Sequence, residues 1–329
     1  MSTSARVRAS LGHWYSSLSQ EQRSVMFAYM VIILIIISGS LVMPQFASPN
    51  YLLLQLMKAS FLGVVAAGQM MVILTGNIDL SVGWTLNLAA VMVTSIAQGQ
   101  NERLWLGILV GLAVGLVVGL LNGLGVAYLR IPSLVLTLGM DAVVKGVTIL
   151  YTGAQPKGES PELLNLLVHH KIGGVLPSVV LVWAAVSVIC FVVLHRTALG
   201  REIYAVGNNE ICAYLSGLRT HRVLIAAFVL SGLMNALAGI LLVGYAGRSF
   251  NGMGEPYLLP SIAAVVIGGT NILGGSGLYM GTIAGAIIIT LLESTLSIMQ
   301  ISQAGRNIIY GLVILGMLFL YGRGSKIRE

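Results

Sequence analysis

Long apolar runs alternate with short polar, glycine-rich or proline-containing breaks along nearly the whole chain. A helix that crosses the hydrocarbon core of a bilayer needs about 20 predominantly apolar residues. By this criterion the pattern predicts ten spans, at 25–43, 51–75, 80–97, 104–129, 134–152, 175–195, 223–246, 257–273, 278–299 and 306–321. The divisions at 76–80 and 274–277 are short. The pattern therefore predicts an all-α polytopic membrane protein with about ten transmembrane helices.

The composition narrows the class of protein further. Of the 329 residues, 57% are apolar and only 9% are charged, whereas an ordinary soluble domain carries about 25% charged residues. So few charges could not cover the surface of a water-soluble protein of this size. The composition therefore excludes a cytosolic enzyme, a secreted domain and a disordered chain. Glycine is abundant, at 40 residues, which suits membrane helices whose backbones pack closely.

A polar segment precedes the first span. The first apolar run begins near Val25, is longer than the apolar core of a signal peptide and ends without a small-x-small cleavage pattern. We therefore expect an uncleaved first span. In the preceding segment Leu11, Trp14, Tyr15 and Leu18 recur at helical spacing. This spacing predicts either a short helix on the membrane surface or a frayed polar tail.

The net charge of +7 can be assigned to loops. With the N-terminus inside, eleven of the 18 Lys and Arg residues fall in cytoplasmic segments, five in outer segments and two within spans. This distribution agrees with the positive-inside rule, so the charge needs no nucleic-acid partner. It predicts that both termini are cytoplasmic. The predicted parts are a cytoplasmic segment (1–24), a membrane domain (25–322) with an outer loop (153–172) and an inner loop (196–222), and a basic cytoplasmic tail (323–329).

The centre of the inner loop, at 208–217, predicts a short helix. Asn208 or Asn209 could cap its start, and Gly217 could end it. The helix would present one apolar face, formed by Ile211, Tyr214 and Leu215. That face either binds a partner or rests on the ends of the chain's own helices.

Sequence patterns of catalysis are missing. The chain contains no G-x-x-x-x-G-K-[ST] phosphate loop, and its Gly-rich stretch at 268–277 is not followed by Lys. Cys190 and Cys212 are too few for a disulfide framework, and no Cys/His group has the spacing of a metal site. No nucleophile lies on the strand-to-helix turn that a hydrolase needs. We therefore expect a chain that is not an enzyme and holds no cofactor or metal itself.

Polar residues at two breaks between spans are the strongest candidates for contact with a solute. The first break, at 75–83, contains Asn77, Asp79 and Ser81. Irregular backbone at membrane depth persists only where it is buried in protein or lines a water-filled cavity. A plain cytoplasmic turn, with Asp79 or Ser81 capping the next helix, explains the same residues. The second break, at 268–277, contains Asn271 and repeats the Asn-Ile-x-Leu pattern.

The two breaks do not predict an inverted duplication. Short Gly-interrupted segments in corresponding halves of a transporter point to the permeation path. The predicted topology, however, places both breaks on the cytoplasmic side, whereas counterparts in an inverted repeat lie on opposite sides. We therefore treat all four polar residues at these breaks as candidates for the translocation path.

Several polar residues lie within predicted spans, where they are costly. Asp141 and Lys145 are four residues apart and predict an intramembrane ion pair, either structural or lining an aqueous path. Lys58 and Glu293 have no partner along the sequence, and Lys58 can extend towards the outer interface. Three asparagines predict hydrogen bonds between helices, at Asn87, Asn122 and Asn235.

Three motifs together resemble the permease subunits of ribose-type ABC importers. They are L-T-G-N-I-D-L-S-V-G at 74–83, A-V-G-N-N-E at 205–210 followed by A-Y-L-S-G at 213–217, and I-A-A-V-V-I-G-G-T at 262–270. The resemblance extends in order from about residue 50 to 320. It differs at Asn77, where the family usually has a second glycine. It implies a multi-pass protein of the bacterial inner membrane with a fold like that of type II ABC importers.

The resemblance also implies partners and a function. A cytoplasmic ATPase would bind ATP and Mg²⁺, a periplasmic binding protein would deliver the solute, and a second permease copy or paralogue would complete the path. The chain would carry a small polar solute, a monosaccharide or related sugar, inward by alternating access. In such families the inner-loop helix contacts the ATPase as a coupling helix, a role that the resemblance assigns to Asn209, Glu210, Ala213, Leu215, Ser216 and Gly217. The alternative is an ion-driven secondary transporter that uses Asp79, Asp141 or Glu293.

Overall fold

The computed structural model describes residues 20 to 324. The surface helix predicted around Leu11 to Leu18 lies outside the described residues, as does most of the basic tail. In the described part the α-helices are α1 (Gln20–Val42), α2 (Pro49–Leu74), α3 (Val82–Ala97), α4 (Leu104–Ala127), α5 (Ser133–Thr152), α6 (Glu162–His169), α7 (Ser178–Arg196), α8 (Ala198–Asn208), α9 (Glu210–Leu215), α10 (Thr220–Ala246), α11 (Leu258–Ile267), α12 (Tyr279–Ile298) and α13 (Gln303–Gly324).

The remaining regular structure is short. A two-residue hairpin pairs β1 (Lys171–Ile172) with β2 (Leu176–Pro177), and 3-10 turns cover Pro44–Ala47, Asn101–Arg103 and Glu255–Tyr257. The chain is therefore an all-α protein over its described length, as its hydrophobic pattern predicts.

Each of the ten predicted spans contains an apolar helix. Seven of these helices are long and apolar enough to cross a membrane, and three are shorter, at Val82–Ala97, Glu255–Ile267 and Gln303–Phe319. The prediction for 257–273 was too long, because the helix ends at Ile267 and Gly269 has a φ of +90°. The outer loop contains α6 and the hairpin, and the inner loop contains two helices instead of one.

The loops separate onto two ends of the helix bundle. At one end, which we call the outer end, Gly99 N donates to Glu159 O over 3.0 Å and Ser160 N to Gly247 O over 2.9 Å. At the opposite, inner end, Gly275 N donates to Leu74 O over 3.0 Å. This grouping of loops agrees with the predicted topology; which end faces the cytoplasm stays a prediction.

A stripe of glycines fixes how closely α4 and α10 pack. Glycine recurs every fourth residue along α4, at Gly107, Gly111, Gly115, Gly119 and Gly123. Gly115 faces Gly232 of α10, and a Cβ on either residue would overlap the other's carbonyl oxygen. Small residues of this kind allow two membrane helices to pack backbone to backbone. The stripe thereby positions α4 and α10 around the polar segment described below.

The core lies around α2, from Ala59 to Leu74, where every side chain is buried. By contrast, α1, α4, α5 and α13 expose large apolar side chains, including Leu41 at 83% and Leu150 at 86%. In a membrane protein such faces contact lipid or another subunit.

Candidate functional site

The first break is an irregular, non-helical segment that enters the bundle from the inner end. It joins α2 to α3, and α3 is only about 24 Å long, so residues 75–81 supply the missing depth. Hydroxyls of α5 bind its backbone: Ile78 N donates to Ser133 Oγ over 3.3 Å, and Leu80 N donates to Thr137 Oγ1 over 2.9 Å. Irregular backbone in a membrane must be satisfied by protein or water, and here α5 satisfies it.

Asp79 is the centre of a buried hydrogen-bond network. Its carboxylate accepts from the Ser81 backbone N over 2.9 Å and hydroxyl over 2.6 Å, and from the Ser231 hydroxyl of α10 over 2.8 Å. Asn122 of α4 donates to Ser81 Oγ over 2.8 Å. Both Asp79 and Ser81 are 1% exposed. The network therefore ties the break to α4 and α10, and neither side chain faces an open surface.

The other two path candidates form local turns at the inner end. Asn77 Nδ2 donates to the carbonyl oxygen and hydroxyl of Thr75, and Asn271 Oδ1 accepts from Leu273 N over 3.1 Å. Both side chains are half-buried. Contact of these four residues with solute stays a prediction.

A second irregular segment, at 248–254, enters the bundle from the outer end. It joins α10 to the 3-10 turn before α11. The amide of Asn87, on α3, binds it on both sides, donating to Phe250 O over 2.8 Å and accepting from Gly252 N over 3.1 Å. Like the first break, this segment is irregular, but it lies towards the opposite end of the bundle. The second break, at 268–277, lies at the same end as 75–83, as the predicted topology has it.

The helices α3 and α11, each preceded by an irregular segment, begin close to each other. Gly83, near the start of α3, packs against Gly254, and a Cβ on Gly254 would overlap Gly83 O. Half-helices that begin inside a membrane carry partly positive N-termini, and transporters use such ends to contact polar groups. The contact places the starts of α3 and α11 side by side inside the bundle.

Four polar or charged side chains form a cluster at this junction, which we call the mid-depth cluster: Trp84, Asp141, Lys145 and Glu255. Trp84 Nε1 donates to Glu255 Oε1 over 3.1 Å, and Lys145 Nζ lies 3.4 Å from the same oxygen. Lys145 also lies 5.1 Å from the centre of the Trp84 ring. Asp141 accepts from the Trp84 backbone N over 3.4 Å. Lys145 lies about 18 Å along α5, itself about 30 Å long, so the cluster is near mid-depth.

The predicted ion pair between Asp141 and Lys145 is not formed, and the prediction needs correction. Among residues 20 to 324 the partner of Lys145 is Glu255, and Asp141 binds the backbone at the start of α3. The helical spacing places Asp141 and Lys145 near one another, but the turn at Glu255–Tyr257 brings a carboxylate closer to the ammonium group. Sequence reasoning missed Glu255 and Trp84, because nothing along the chain brings residues 84 and 255 together.

The two ion-paired members of the mid-depth cluster lie on an open face, whereas Trp84 is buried beneath them. The side chains of Lys145 and Glu255 are 49% and 53% exposed, although their neighbours on α5, such as Leu138 and Val143, are apolar and exposed as well. A charged side chain in contact with lipid tails at mid-depth is costly. This face must therefore meet water or another protein surface.

The first two motifs of the resemblance meet the second break at the inner end of the bundle. Gly207, near the end of α8, lies against Leu74 O and Gly275 N, and Gly274 lies against Gly76. Tyr204 donates to Gly277 O over 2.7 Å. The first break, the inner loop and the second break thus meet at one contact, which we call the inner junction.

The predicted coupling helix is α9. As expected, Asn209 caps it by accepting from Cys212 N over 2.9 Å, and Gly217 ends it with a φ of +86°. Glu210 forms an ion pair with Arg130, which follows α4. Its apolar face is uncovered in the single chain, with Ile211, Tyr214 and Leu215 exposed at 72%, 62% and 78%.

One of the predicted ATPase contacts, Ala213, is buried, whereas contact through Ser216 stays a prediction. Ala213 is only 5% exposed and faces the chain's own interior, so a partner cannot reach its side chain. Ser216 is exposed and donates to Cys212 O over 2.8 Å. The exposed residues Ile211 and Tyr214, which share the apolar face with Leu215, are better placed for contact than Ala213.

The remaining candidates among the polar residues of the predicted spans are three asparagines and two charged residues. Asn87 and Asn122 bind other elements, as predicted, whereas Asn235 donates to Ser231 of its own helix over 3.4 Å. Glu293 lies 3.6 Å from Arg306, and Lys58 lines a cavity near the outer end.

Over residues 51–320 the chain matches a family described as the permease component of a branched-chain amino acid transport system. It is 37% identical over 290 residues to the ribose import permease protein of Bacillus subtilis (strain 168), a match that covers 87% of this chain and 89% of that protein. It is 36% identical over 298 residues to the ribose import permease protein of Escherichia coli (strain K12), covering 90% and 91%.

A third relative has a different printed substrate. The autoinducer 2 import system permease protein of Escherichia coli O9:H4 (strain HS) is 34% identical over 313 residues, covering 92% of this chain and 88% of that protein. No solved structure gives a significant match to the chain.

Proposed function

Because the chain belongs to this family of ABC importer permease components, we propose that it imports a small polyhydroxylated solute, a monosaccharide or a related compound. The relatives named for ribose and autoinducer 2 support this class of solute. The observation that carries the proposal is the mid-depth cluster on the open face of α5. The half-exposed ammonium group of Lys145 and carboxylate of Glu255 offer hydrogen-bonding groups, as sites for small polar ligands do, and the buried indole of Trp84 holds the Glu255 carboxylate in place.

The solute path runs along this face, between two permease copies. A half-exposed Lys145–Glu255 pair at mid-depth would be costly against lipid. A second copy or paralogue that covers the face would enclose the pair in a water-filled path. Asp79 then has a positioning role: it holds the first break at the depth where Trp84 meets Glu255.

A separate ATPase drives the movement. The uncovered apolar face of α9 supports docking of such a partner, since exposed apolar patches commonly mark protein interfaces. ATP and Mg²⁺ are bound by the ATPase, and a periplasmic binding protein delivers the solute. The chain itself transmits motion without chemistry of its own.

The contacts suggest the route of transmission. Displacement of α9 moves α8, and Gly207 of α8 lies against the end of α2 and the second break. The first break follows directly from α2 and leads into Trp84. Movement at the inner junction therefore reaches the mid-depth cluster through the seven non-helical residues 75–81.

A charge-swap experiment tests the proposal. We expect Glu255→Gln and Lys145→Gln each to lower ATP-driven uptake of D-ribose at least tenfold when the chain is reconstituted with its ATPase and binding protein. Lys171→Gln, in the outer hairpin, is the matched control and keeps wild-type uptake. The double variant Lys145→Glu/Glu255→Lys restores an ion pair but reverses both charges. Low uptake by this double variant supports solute contact, and full uptake would show that the pair is only structural.

A control distinguishes the ion-driven alternative. The chain alone in liposomes is expected to move no D-ribose under an H⁺ or Na⁺ gradient. Uptake under either gradient without the ATPase would contradict the proposed function.

A further inference from the structure

A cavity of about 600 Å³ opens between α2, α10, α12 and the start of α13. It lies in the outer half of the bundle, since Lys58 and Glu293 are about 13 and 8 Å from the outer ends of their helices. The turn Glu255–Tyr257 separates it from the mid-depth cluster: Glu255 belongs to the cluster, whereas Pro256 and Tyr257 line the cavity. The cavity, which we call the outer cavity, thus shares one wall with the proposed path.

Aromatic rings form much of the wall. The rings of Phe61 and Tyr245 are 5.4 Å apart and tilted towards each other, and Phe250 is 46% exposed. All three residues line the outer cavity. Aromatic faces are electron-rich and attract the polarised C–H groups on the face of a sugar ring.

Polar groups without protein partners lie among these rings. Gln55 is 4% exposed, and its Oε1 has no hydrogen-bond partner in the described part of the chain. A buried acceptor without a donor is unfavourable, and a ligand hydroxyl would supply the donor. Lys58 Nζ has no hydrogen bond or ion pair within residues 20 to 324, and Glu293 keeps 42% of its side chain exposed beside Arg306.

We propose that the outer cavity of each chain binds a cyclic polyol of pentose or hexose size, before the solute reaches the mid-depth cluster. This inference rests on the proposed function for the class of solute. Acceptors, donors and aromatic faces together match a neutral polyhydroxylated ring. A lipid tail would leave Gln55 Oε1 without a hydrogen-bond donor and Lys58 Nζ without an acceptor, whereas a polyol hydroxyl can serve either.

Ligand-observed saturation-transfer NMR tests the site. The chain with its ATPase, in nanodiscs and without nucleotide, is probed with D-ribose, D-xylose, D-galactose and myo-inositol. We expect saturation transfer to at least one probe, and at least fivefold less in Gln55→Leu and in Glu293→Gln. Ser297→Trp, at the exposed mouth of the cavity, is expected to block entry without altering a buried contact. Thr295→Val, on the same helix but outside the cavity, is the matched control.

The outcomes separate this inference from the proposed function. Binding that persists in Glu255→Gln but is lost in Glu293→Gln and Ser297→Trp supports the outer cavity as a distinct site. No binding of any of the four probes, or binding unchanged in all three cavity variants, overturns it. If the wild-type importer binds a probe in the cavity but shows no ATP-driven uptake, the proposed function fails and the site stands. If uptake occurs without cavity binding, the site fails alone.

Discussion

Gly207 lies against the carbonyl oxygen of Leu74, so that a Cβ on Gly207 would overlap this oxygen. The same Cβ would lie 2.7 Å from Gly275 N. Backbone from three parts of the chain, distant in sequence, therefore touches without intervening side chains. Such a contact transmits displacement directly, because packed backbone is hardly compressible.

Gly207→Ala is expected to separate α8 from the end of α2. Overpacking of this kind costs about 1–3 kcal/mol, and the larger effect should be on coupling, because the displaced contact joins the inner loop to the first break. We expect ATP-driven uptake to fall at least fivefold while ATPase binding is retained. Gly311→Ala, on α13, is the control, since a Cβ there meets no atom within 4 Å. Equal uptake by both variants would refute transmission through this contact.

Asp79→Ala should destabilise the chain strongly. The substitution removes the acceptor of three hydrogen bonds and leaves the Ser81 N–H and the Ser81 and Ser231 hydroxyls buried without it. Each unsatisfied buried group costs about 1–3 kcal/mol. We expect a markedly lower Tm in detergent, measured by intrinsic fluorescence, and a smaller loss for Asp79→Asn, which keeps one oxygen. A Tm within 1–2 °C of wild type, which corresponds to about 1 kcal/mol for a chain of this length, would contradict the network.

Asn87 and Asn235 provide a matched comparison, since both are fully buried asparagines on helices. Asn87 holds the irregular segment 248–254 on two sides, whereas Asn235 binds Ser231 of its own helix. Asn87→Ala is therefore expected to increase hydrogen–deuterium exchange across 248–254 by at least tenfold, which corresponds to about 1.4 kcal/mol. Asn235→Ala should leave exchange in this segment unchanged. The reverse pattern would show that the Asn87 clamp does not hold the segment.

Leu215→Asp should affect the partner and not the fold. The side chain of Leu215 is 78% exposed, so the free chain keeps its Tm. Placing a charge on the apolar face of α9 should abolish co-purification with the ATPase, because a buried unpaired charge opposes association. Cys212→Ser, on the same helix but off this face, is the control. Retained ATPase binding by the Leu215 variant would exclude this face as the docking site.

Much of the fold follows from the hydrophobic pattern. The spans at 134–152 and 223–246 agree with α5 and α10 to within a few residues, because long apolar runs leave the backbone no alternative to a helix in a membrane. The short helix of the inner loop was also predictable, since Asn209 and Gly217 are a cap and a terminator of the ordinary kind.

The candidate site was only partly predictable. Asp141 and Lys145 are recognisable as costly residues in a span, but their partners Trp84 and Glu255 come from other elements. Glu255 follows a glycine-rich stretch that is typical of an outer loop, and only the close packing of Gly254 on Gly83 reveals that Glu255 lies beside the start of α3. The irregular segment 248–254 was also missed, because it shares none of the residue pattern of the first break.

Thiol labelling of Ala142→Cys tests most directly whether the open face of α5 lines a water-filled path. Ala142 is exposed and lies one turn from Lys145; a Cys212→Ser background removes the exposed native thiol. In the reconstituted importer we expect the new thiol to react with a membrane-impermeant methanethiosulfonate from the periplasmic side without nucleotide, and to lose that reactivity with ATP and vanadate. Reaction only with a lipid-soluble maleimide, unchanged by nucleotide, would show that this face meets lipid and contradict the account.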